Sequence, residues 1–261
     1  MLFEKSLLEI KHLQLNYGEK QVLYDINLTV KTGEIIGIAG RSGSGKSSLL
    51  KSIIPTLNPY ASISGGKIFY NGMDLQKKNP KELRKICGAE IGYVFQDSKS
   101  FLCPIQTIEK QIYDTVLAHK RMKKKEIKEN ALKLLQLLQI DEGERVLKSY
   151  PFELSGGMNQ RVGILMGMLL KPPLLLADEP TSSLDEASKK QVIDELNKMR
   201  NEFQTSVLLV THDIKMIAGI ADKIAVMDAG KILEFGPAGD VLSAPVHTFS
   251  KELLETIKQK D

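Results

Sequence analysis

Gly40-Arg41-Ser42-Gly43-Ser44-Gly45-Lys46-Ser47 fits the phosphate-binding pattern G-x-x-x-x-G-K-[ST] at every fixed position. Its surroundings decide the fold. Before it, Gly33-Glu34-Ile35-Ile36-Gly37-Ile38-Ala39 reads as a turn and a short apolar strand. After it, Ser47-Ser48-Leu49-Leu50-Lys51-Ser52-Ile53-Ile54 reads as a helix that stops at Pro55. Strand, glycine loop and helix together make a nest of inward backbone N–H groups, to which the helix N-terminus adds its positive dipole end. In such a nest Lys46 reaches the outer phosphates and the Ser47 hydroxyl holds Mg²⁺. A flexible Ser/Gly linker is the plain alternative, but linkers rarely carry this spacing between a strand and a helix.

Two further apolar runs, Pro173-Leu174-Leu175-Leu176-Ala177 and Ser206-Val207-Leu208-Leu209-Val210, read as buried strands. Each ends in polar residues, Asp178-Glu179 and Thr211-His212-Asp213. Strands alternating with helices predict an α/β fold with a mainly parallel sheet, right-handed crossovers and a ligand at the strand C-termini. The N-terminal part reads differently. Leu7-Leu8-Glu9-Ile10, His12-Leu13-Gln14-Leu15, an alternating run from Val22 to Val30, and Gly66-Lys67-Ile68-Phe69-Tyr70 before the turn Asn71-Gly72 predict an antiparallel sheet beside the core. Residues 109–139 read as helical, and Leu132, Leu134, Leu135, Leu137, Leu138 and Ile140 form an apolar face that core packing explains.

A chain of 261 residues with 42% hydrophobic and 26% charged residues suits one large domain, or a core with a subdomain. No apolar run approaches the ~18 residues that span a bilayer. No basic segment followed by an apolar core marks a secretory leader, so the default expectation is the cytoplasm. The two cysteines, Cys87 and Cys103, form no C-x-x-C pair, which argues against a disulfide framework and against zinc or iron–sulfur sites. A net charge of +4 does not require nucleic acid. Lys120-Arg121-Met122-Lys123-Lys124-Lys125 reads as a solvated loop or helix start.

The chemistry sits at the strand ends. Asp178 is placed to hold the Mg²⁺ of a bound nucleotide through water, and Glu179 to polarise the attacking water as a general base. Acids at a strand end are ordinarily surface residues; Lys46 and Ser47 reverse that reading. Leu154-Ser155-Gly156-Gly157-Met158-Asn159-Gln160-Arg161 places a serine and two glycines before a helix read from Asn159 to Leu170, a second helix start offered to an anion. One nucleotide needs one such start. A dimer in which each chain's second start caps the nucleotide of the other is the economical solution.

These motifs, in this order, resemble the nucleotide-binding subunit of ABC transporters over residues ~5 to 255. Residues 40–47 look like the family's Walker A loop, 174–179 like its Walker B strand, and 154–158 like its signature. The resemblance implies ATP and Mg²⁺ as cofactors, with Gly40, Arg41, Ser42, Gly43, Ser44, Gly45, Lys46, Ser47, Ser48, Ser155, Gly156 and Gly157 around the phosphates. It implies Ser47, Gln96 and Asp178 about the metal, and Lys46, Gln96, Glu179 and His212 as catalytic residues. Tyr17 corresponds to the ring that stacks on adenine. Gln96, in Tyr93-Val94-Phe95-Gln96-Asp97, corresponds to the glutamine that senses the transmembrane partner. Ser182-Ser183-Leu184-Asp185 corresponds to the loop that crosses to the other subunit, with Asp185 among the nucleotide-binding residues, and His212 to the switch histidine. Alone, Tyr17 would be a partly buried tyrosine and His212 a structural histidine. Met158 and Ser183 depart from common family residues without removing a phosphate ligand.

The implied fold is a P-loop ATPase core (residues 1–96 and 162–240) with an antiparallel β part, a helical subdomain (97–161) and a helical tail (241–261). The run 154–162, the run 92–104 with Cys103 for a usual asparagine, and His247-Thr248-Phe249-Ser250-Lys251-Glu252-Leu253-Leu254 with Thr248 for a usual proline, are similar to the peptide/nickel importer branch. That resemblance implies two transmembrane permease subunits, a related second ATPase as heterodimer partner and, indirectly, an extracytoplasmic solute-binding protein. It implies a place on the cytoplasmic face of the membrane and no nucleic acid. Ending at Asp261 without a cysteine-rich extension favours nickel or a metal complex over peptides. An exporter subunit, or a soluble ATPase acting on nucleic acid or ribosomes, is the alternative.

Overall fold

The computed structural model describes residues 6–54, 60–182 and 184–258. In chain order the strands are β1 (Ser6–Tyr17), β2 (Lys20–Lys31), β3 (Ile35–Ala39), β4 (Ala61–Tyr70), β5 (Met73–Asp74), β6 (Ile91–Val94), β7 (Leu174–Asp178), β8 (Ser206–Thr211), β9 (Lys223–Asp228) and β10 (Lys231–Pro237). The helices are α1 (Lys46–Ile53), α2 (Pro80–Ile86), α3 (Ser98–Phe101), α4 (Ile108–Leu117), α5 (Lys124–Leu137), α6 (Gly143–Lys148), α7 (Gly156–Met168), α8 (Glu186–Phe203), α9 (Ile214–Ala218), α10 (Ala238–Ser243) and α11 (Thr248–Lys258). The chain divides into two compact units, Met1–Arg84 with Ser206–Asp261, and Lys85–Thr205.

The first unit holds both kinds of sheet. Its antiparallel sheet has the order β2-β1-β4-β5. The two short runs expected near the N-terminus form one strand, β1, with a bulge at His12, whose φ is 52°. A matching irregularity in β2 falls at Asp25, and its carboxylate meets His12 Nδ1 at 2.7 Å. In the second sheet β3 lies between β8 and β9, parallel to both, and β10 closes antiparallel on β9. Every residue of β3 and β8 is buried, so these strands read as continuous apolar runs rather than alternating ones. Asp222 Oδ2 accepts from the Ile35 N–H at 2.7 Å and secures the start of β3.

In the unit Lys85–Thr205, β6 and β7 pair in parallel. The helix expected over 109–139 is two helices, α4 and α5, separated by residues 118–123. A continuous helix would stack Lys120 on Lys124 and Arg121 on Lys125, like charges four residues apart. The chain instead opens there, with Lys120, Arg121, Lys123, Lys124 and Lys125 exposed, as a solvated loop and helix start require. Leu134, Leu135, Leu138 and Ile140 are core residues. α7 begins at Gly156, three residues earlier than expected. Pro55, expected to end α1, lies outside the described residues, and α1 ends at Ile53. Among the described residues, no helix is long and apolar enough to cross a membrane.

Candidate functional site

The glycine loop leaves β3 at Ala39 and enters α1 at Lys46. Gly40 can only be glycine: a Cβ there would stand 2.0 Å from the Met227 carbonyl oxygen at the end of β9. Gly45, the residue before α1, has φ 100°, and no side chain caps the helix, so its first N–H groups face an incoming anion rather than a serine or aspartate cap. Lys46 is buried, and its ammonium donates to the carbonyl oxygens of Gly40 and Arg41, each at 2.8 Å. The lysine is thus folded back over its own loop, where a phosphate on the N–H groups would meet it. Gly230 N–H donates to Ser44 O at 2.9 Å and fixes the loop to the β9–β10 turn.

Other expected residues of this unit surround the loop. Tyr17 is half-buried at the end of β1, its hydroxyl 3.5 Å from Ser48 Oγ. Ser47 stands half-buried in the first turn of α1, Ser42 and Gly43 are exposed, and Ser44 is buried. Arg41 points to the C-terminal helix: its guanidinium lies 4.8 Å over the Phe249 ring and 3.3 Å from Glu252 Oε2. Ala39 pairs with Thr211 across β3 and β8, so Gly40 and the exposed His212 leave neighbouring strands at the same level. Asp213 then caps α9, accepting from Lys215 N–H at 3.0 Å.

In Lys85–Thr205 the register pairs Val94 with Ala177, so Gln96 and the two acids also leave adjacent parallel strands at one level. Gln96 Nε2 donates to Glu179 Oε2 at 3.2 Å. Asp178 is buried and accepts from the Tyr93 hydroxyl at 3.1 Å. Tyr93 was not singled out by sequence reasoning; it pairs with Leu176, two residues before Asp178, and no local signal announces that register. Glu179 has φ 44°, a left-handed conformation that costs a non-glycine residue of order 1–3 kcal/mol. The strained acid at the strand tip is held by the Gln96 amide.

Ser155 caps α7, accepting from Met158 N–H at 3.3 Å, and Gly156 and Gly157 form its first turn. Asn159 is buried and stitches the approach by donating to Pro151 O and Leu154 O, each at 3.0 Å. Asp185 caps α8, accepting from Ser188 N–H at 2.9 Å. Ser183 lies outside the described residues. The structure thus brings Gln96 to Glu179, Tyr17 to Ser48, and Lys46 to Gly40 and Arg41. Tyr17, residues 40–48 and His212 belong to one unit; Gln96, Asp178, Glu179, Ser155, Gly156, Gly157 and Asp185 belong to the other.

The candidate metal donors, Ser47, Gln96 and Asp178, are hard oxygen ligands with one carboxylate. Among the described residues there is no cluster of three or more His, Cys, Asp or Glu side chains able to hold an ion. Such a donor set fits Mg²⁺, which keeps waters and relies on substrate phosphates rather than on an all-protein cage.

Residues 23–182 match the family model for ABC transporters. The oligopeptide transport ATP-binding protein OppD of Escherichia coli K12 is 37% identical over 98% of this chain and 77% of its own length. The metal-staphylopine import system ATP-binding protein CntD of Staphylococcus aureus NCTC 8325 is 36% identical over 97% of this chain and 94% of its own. Among solved structures, the dimeric ATP-binding cassette MJ0796 with ADP and phosphate superposes with a TM-score of 0.79 at 29% identity, covering 88% of this chain and 98% of that one. CbiO1 of Clostridium perfringens, part of the cbiONQ transporter complex, superposes at 0.80 with 25% identity over 98% and 96%. The chain therefore belongs to the ABC transporter family and is an ATP-binding ATPase.

Proposed function

We propose that this chain powers a membrane importer, as one of two ATPase subunits attached to the cytoplasmic side of two transmembrane permeases, and that its cargo is a small peptide or a nickel or other metal complex. The observation that carries this reading is similarity over 97–98% of the chain to ATP-binding proteins named for oligopeptide transport and metal-staphylopine import. In Lys85–Thr205, the apolar side chains of Phe101, Ile105 and Phe152 are exposed and available to a permease helix.

The buried ammonium of Lys46 and the N–H groups at the start of α1 bind the β- and γ-phosphates. Tyr17 stacks on the adenine. Ser47, Gln96 and Asp178 are the residues that would hold Mg²⁺, which supplies charge neutralisation to the phosphates when bound. Glu179 takes the proton of the attacking water; the new bond to the γ-phosphorus forms as its bond to the ADP oxygen breaks. His212 donates a hydrogen bond to the γ-phosphate. Ser155, Gly156 and Gly157 cap the nucleotide of a partner cassette, a related but different chain, and Asp185 faces that partner. A solute-binding protein outside the membrane delivers the cargo.

The test is uptake by cells carrying only the Glu179→Gln form, offered radiolabelled nickel with and without chelator, and peptides as nutrient. Loss of either import assigns the cargo. Normal uptake of both points to another solute, and near-wild-type turnover by the purified variant complex refutes the role of Glu179.

A further inference from the structure

Arg161, six residues past the cap of α7, reaches across to α8. Its Nε donates to Glu195 Oε1 at 3.2 Å and its Nη2 to Gln191 Oε1 at 2.7 Å. Glu195 is fully buried, and the Arg161 side chain is 16% exposed. Gln191 and Glu195 stand four apart on one face of α8, so one planar guanidinium grips two successive turns. The helices also meet nearer their starts: a Cβ on Gly157 would stand in ordinary contact, 3.7 Å, with Leu184 Cδ2. α7 begins at the Ser155 cap and α8 at the Asp185 cap. The clamp therefore joins the two helices whose first turns carry the residues assigned to the partner cassette.

Stability does not explain this arrangement. Apolar side chains of similar volume often stabilise a buried site as well as an ion pair does, or better. Among the described residues Glu195 Oε2 has no hydrogen-bond partner, and neither has the buried Gln160 Nε2 beside Arg161 in the sequence. A half-satisfied buried polar group is costly. What the pair supplies is direction, because a guanidinium fork fixes both distance and rotation.

We propose that Arg161 is a positioning residue for ATP hydrolysis, which locks α8 to α7 so that the Ser155–Gly157 turn and the Asp185 cap meet the partner's nucleotide in one fixed orientation. The proposal rests on the reading that residues 155–157 cap a nucleotide on a partner cassette.

ATP hydrolysis by the assembled transporter tests it. Arg161→Met/Glu195→Leu removes the grip and leaves no buried charge. The expected result is an unfolding temperature no lower than wild type, a KM for ATP within about twofold, and a kcat at least about tenfold lower. Wild-type kcat in this variant overturns the proposal. Should it fail to fold, Arg161→Lys decides, since lysine keeps the charge without the fork: a kcat loss of at least about threefold at unchanged KM supports the clamp, and wild-type kcat overturns it. Glu195→Gln keeps both acceptors and is expected within about threefold of wild-type kcat. A loss as large as the double variant's would mean that charge rather than grip matters, and overturns the proposal. Gly156→Asp separates the two readings, because a side chain there meets nothing within 4 Å. If it retains hydrolysis, the capping reading is refuted; if it is inactive while the Arg161 variants are fully active, the clamp alone is refuted.

Discussion

Glu195→Gln should make the chain more stable, by an amount that grows from pH 4.5 to about 7. Burial pushes the Glu195 carboxyl up to about 7 from the ordinary 4.5, against the opposing attraction and hydrogen bond of Arg161. The folded chain therefore holds this proton more tightly than the unfolded chain does. Its stabilising contribution is complete below pH 4.5, declines as pH rises to about 7, and is constant above that. At about 1.4 kcal/mol per pH unit, the interval corresponds to about 3 kcal/mol. Glutamine has the shape of the protonated acid and still accepts from Arg161, so it removes the pH-dependent loss. Urea unfolding of wild type and variant at pH 5 and pH 8 gives the two differences: under about 1 kcal/mol at pH 5, and about 3 kcal/mol in favour of the variant at pH 8. A difference independent of pH, or a variant less stable at pH 8, would show that the attraction of Arg161 outweighs burial and that the carboxylate is ionised throughout.

Gly40→Ala forces a Cβ to within 2.0 Å of a backbone oxygen that no rotamer change can move; it should lower stability by about 2 kcal/mol or more, and an unchanged thermal midpoint refutes the packing argument. Tyr93→Phe deletes the hydroxyl that donates to Asp178; at about 1 kcal/mol for a lost hydrogen bond, the Mg²⁺ concentration for half-maximal hydrolysis should rise several-fold, and an unchanged titration contradicts the positioning of Asp178. Glu179→Gln should reduce turnover by about 10²–10⁴-fold while ATP binding persists, read by single-turnover hydrolysis and by fluorescent-nucleotide binding. Chelating divalent cations should stop turnover, and added Mg²⁺ should restore it; hydrolysis persisting in chelator contradicts the assigned donor set.

The loop, its strand and its helix were legible because their rules are local. Glycines at fixed spacing, an apolar run before and a helical run after need no knowledge of distant residues. β7 and β8 were legible for a similar reason, since strands buried on both faces read as unbroken apolar runs. The helix break at residues 118–123 was legible only in part: the basic run reads as a solvated loop or helix start, but apolar periodicity on either side carries the helix expected over 109–139 through it. Tyr93 and the Arg161 clamp were missed for another reason. Tyr93 acquires its partner from strand register, and Arg161 from the angle at which two helices pack. Neither quantity is written in the neighbouring residues. The bulges at His12 and Asp25 likewise depend on a cross-strand pair that no single run of sequence announces.

The placement of β3 has a consequence for biosynthesis. Among the described residues its sheet neighbours are β8 and β9, and the phosphate loop that follows it passes close to the Met227 carbonyl and is fixed by the Gly230 N–H. All of these are made after the intervening residues 85–205. The antiparallel sheet of β1, β2, β4 and β5 can form as the first residues emerge from the ribosome, but the loop beside it still lacks the strands that flank β3 and the Gly230 N–H that fixes Ser44. At roughly 5–20 residues per second, the interval from Lys46 to Gly230 is on the order of 10–40 s. During that time a nascent chain carries its complete nucleotide-binding motif without the two strands and the turn that hold it in the finished fold.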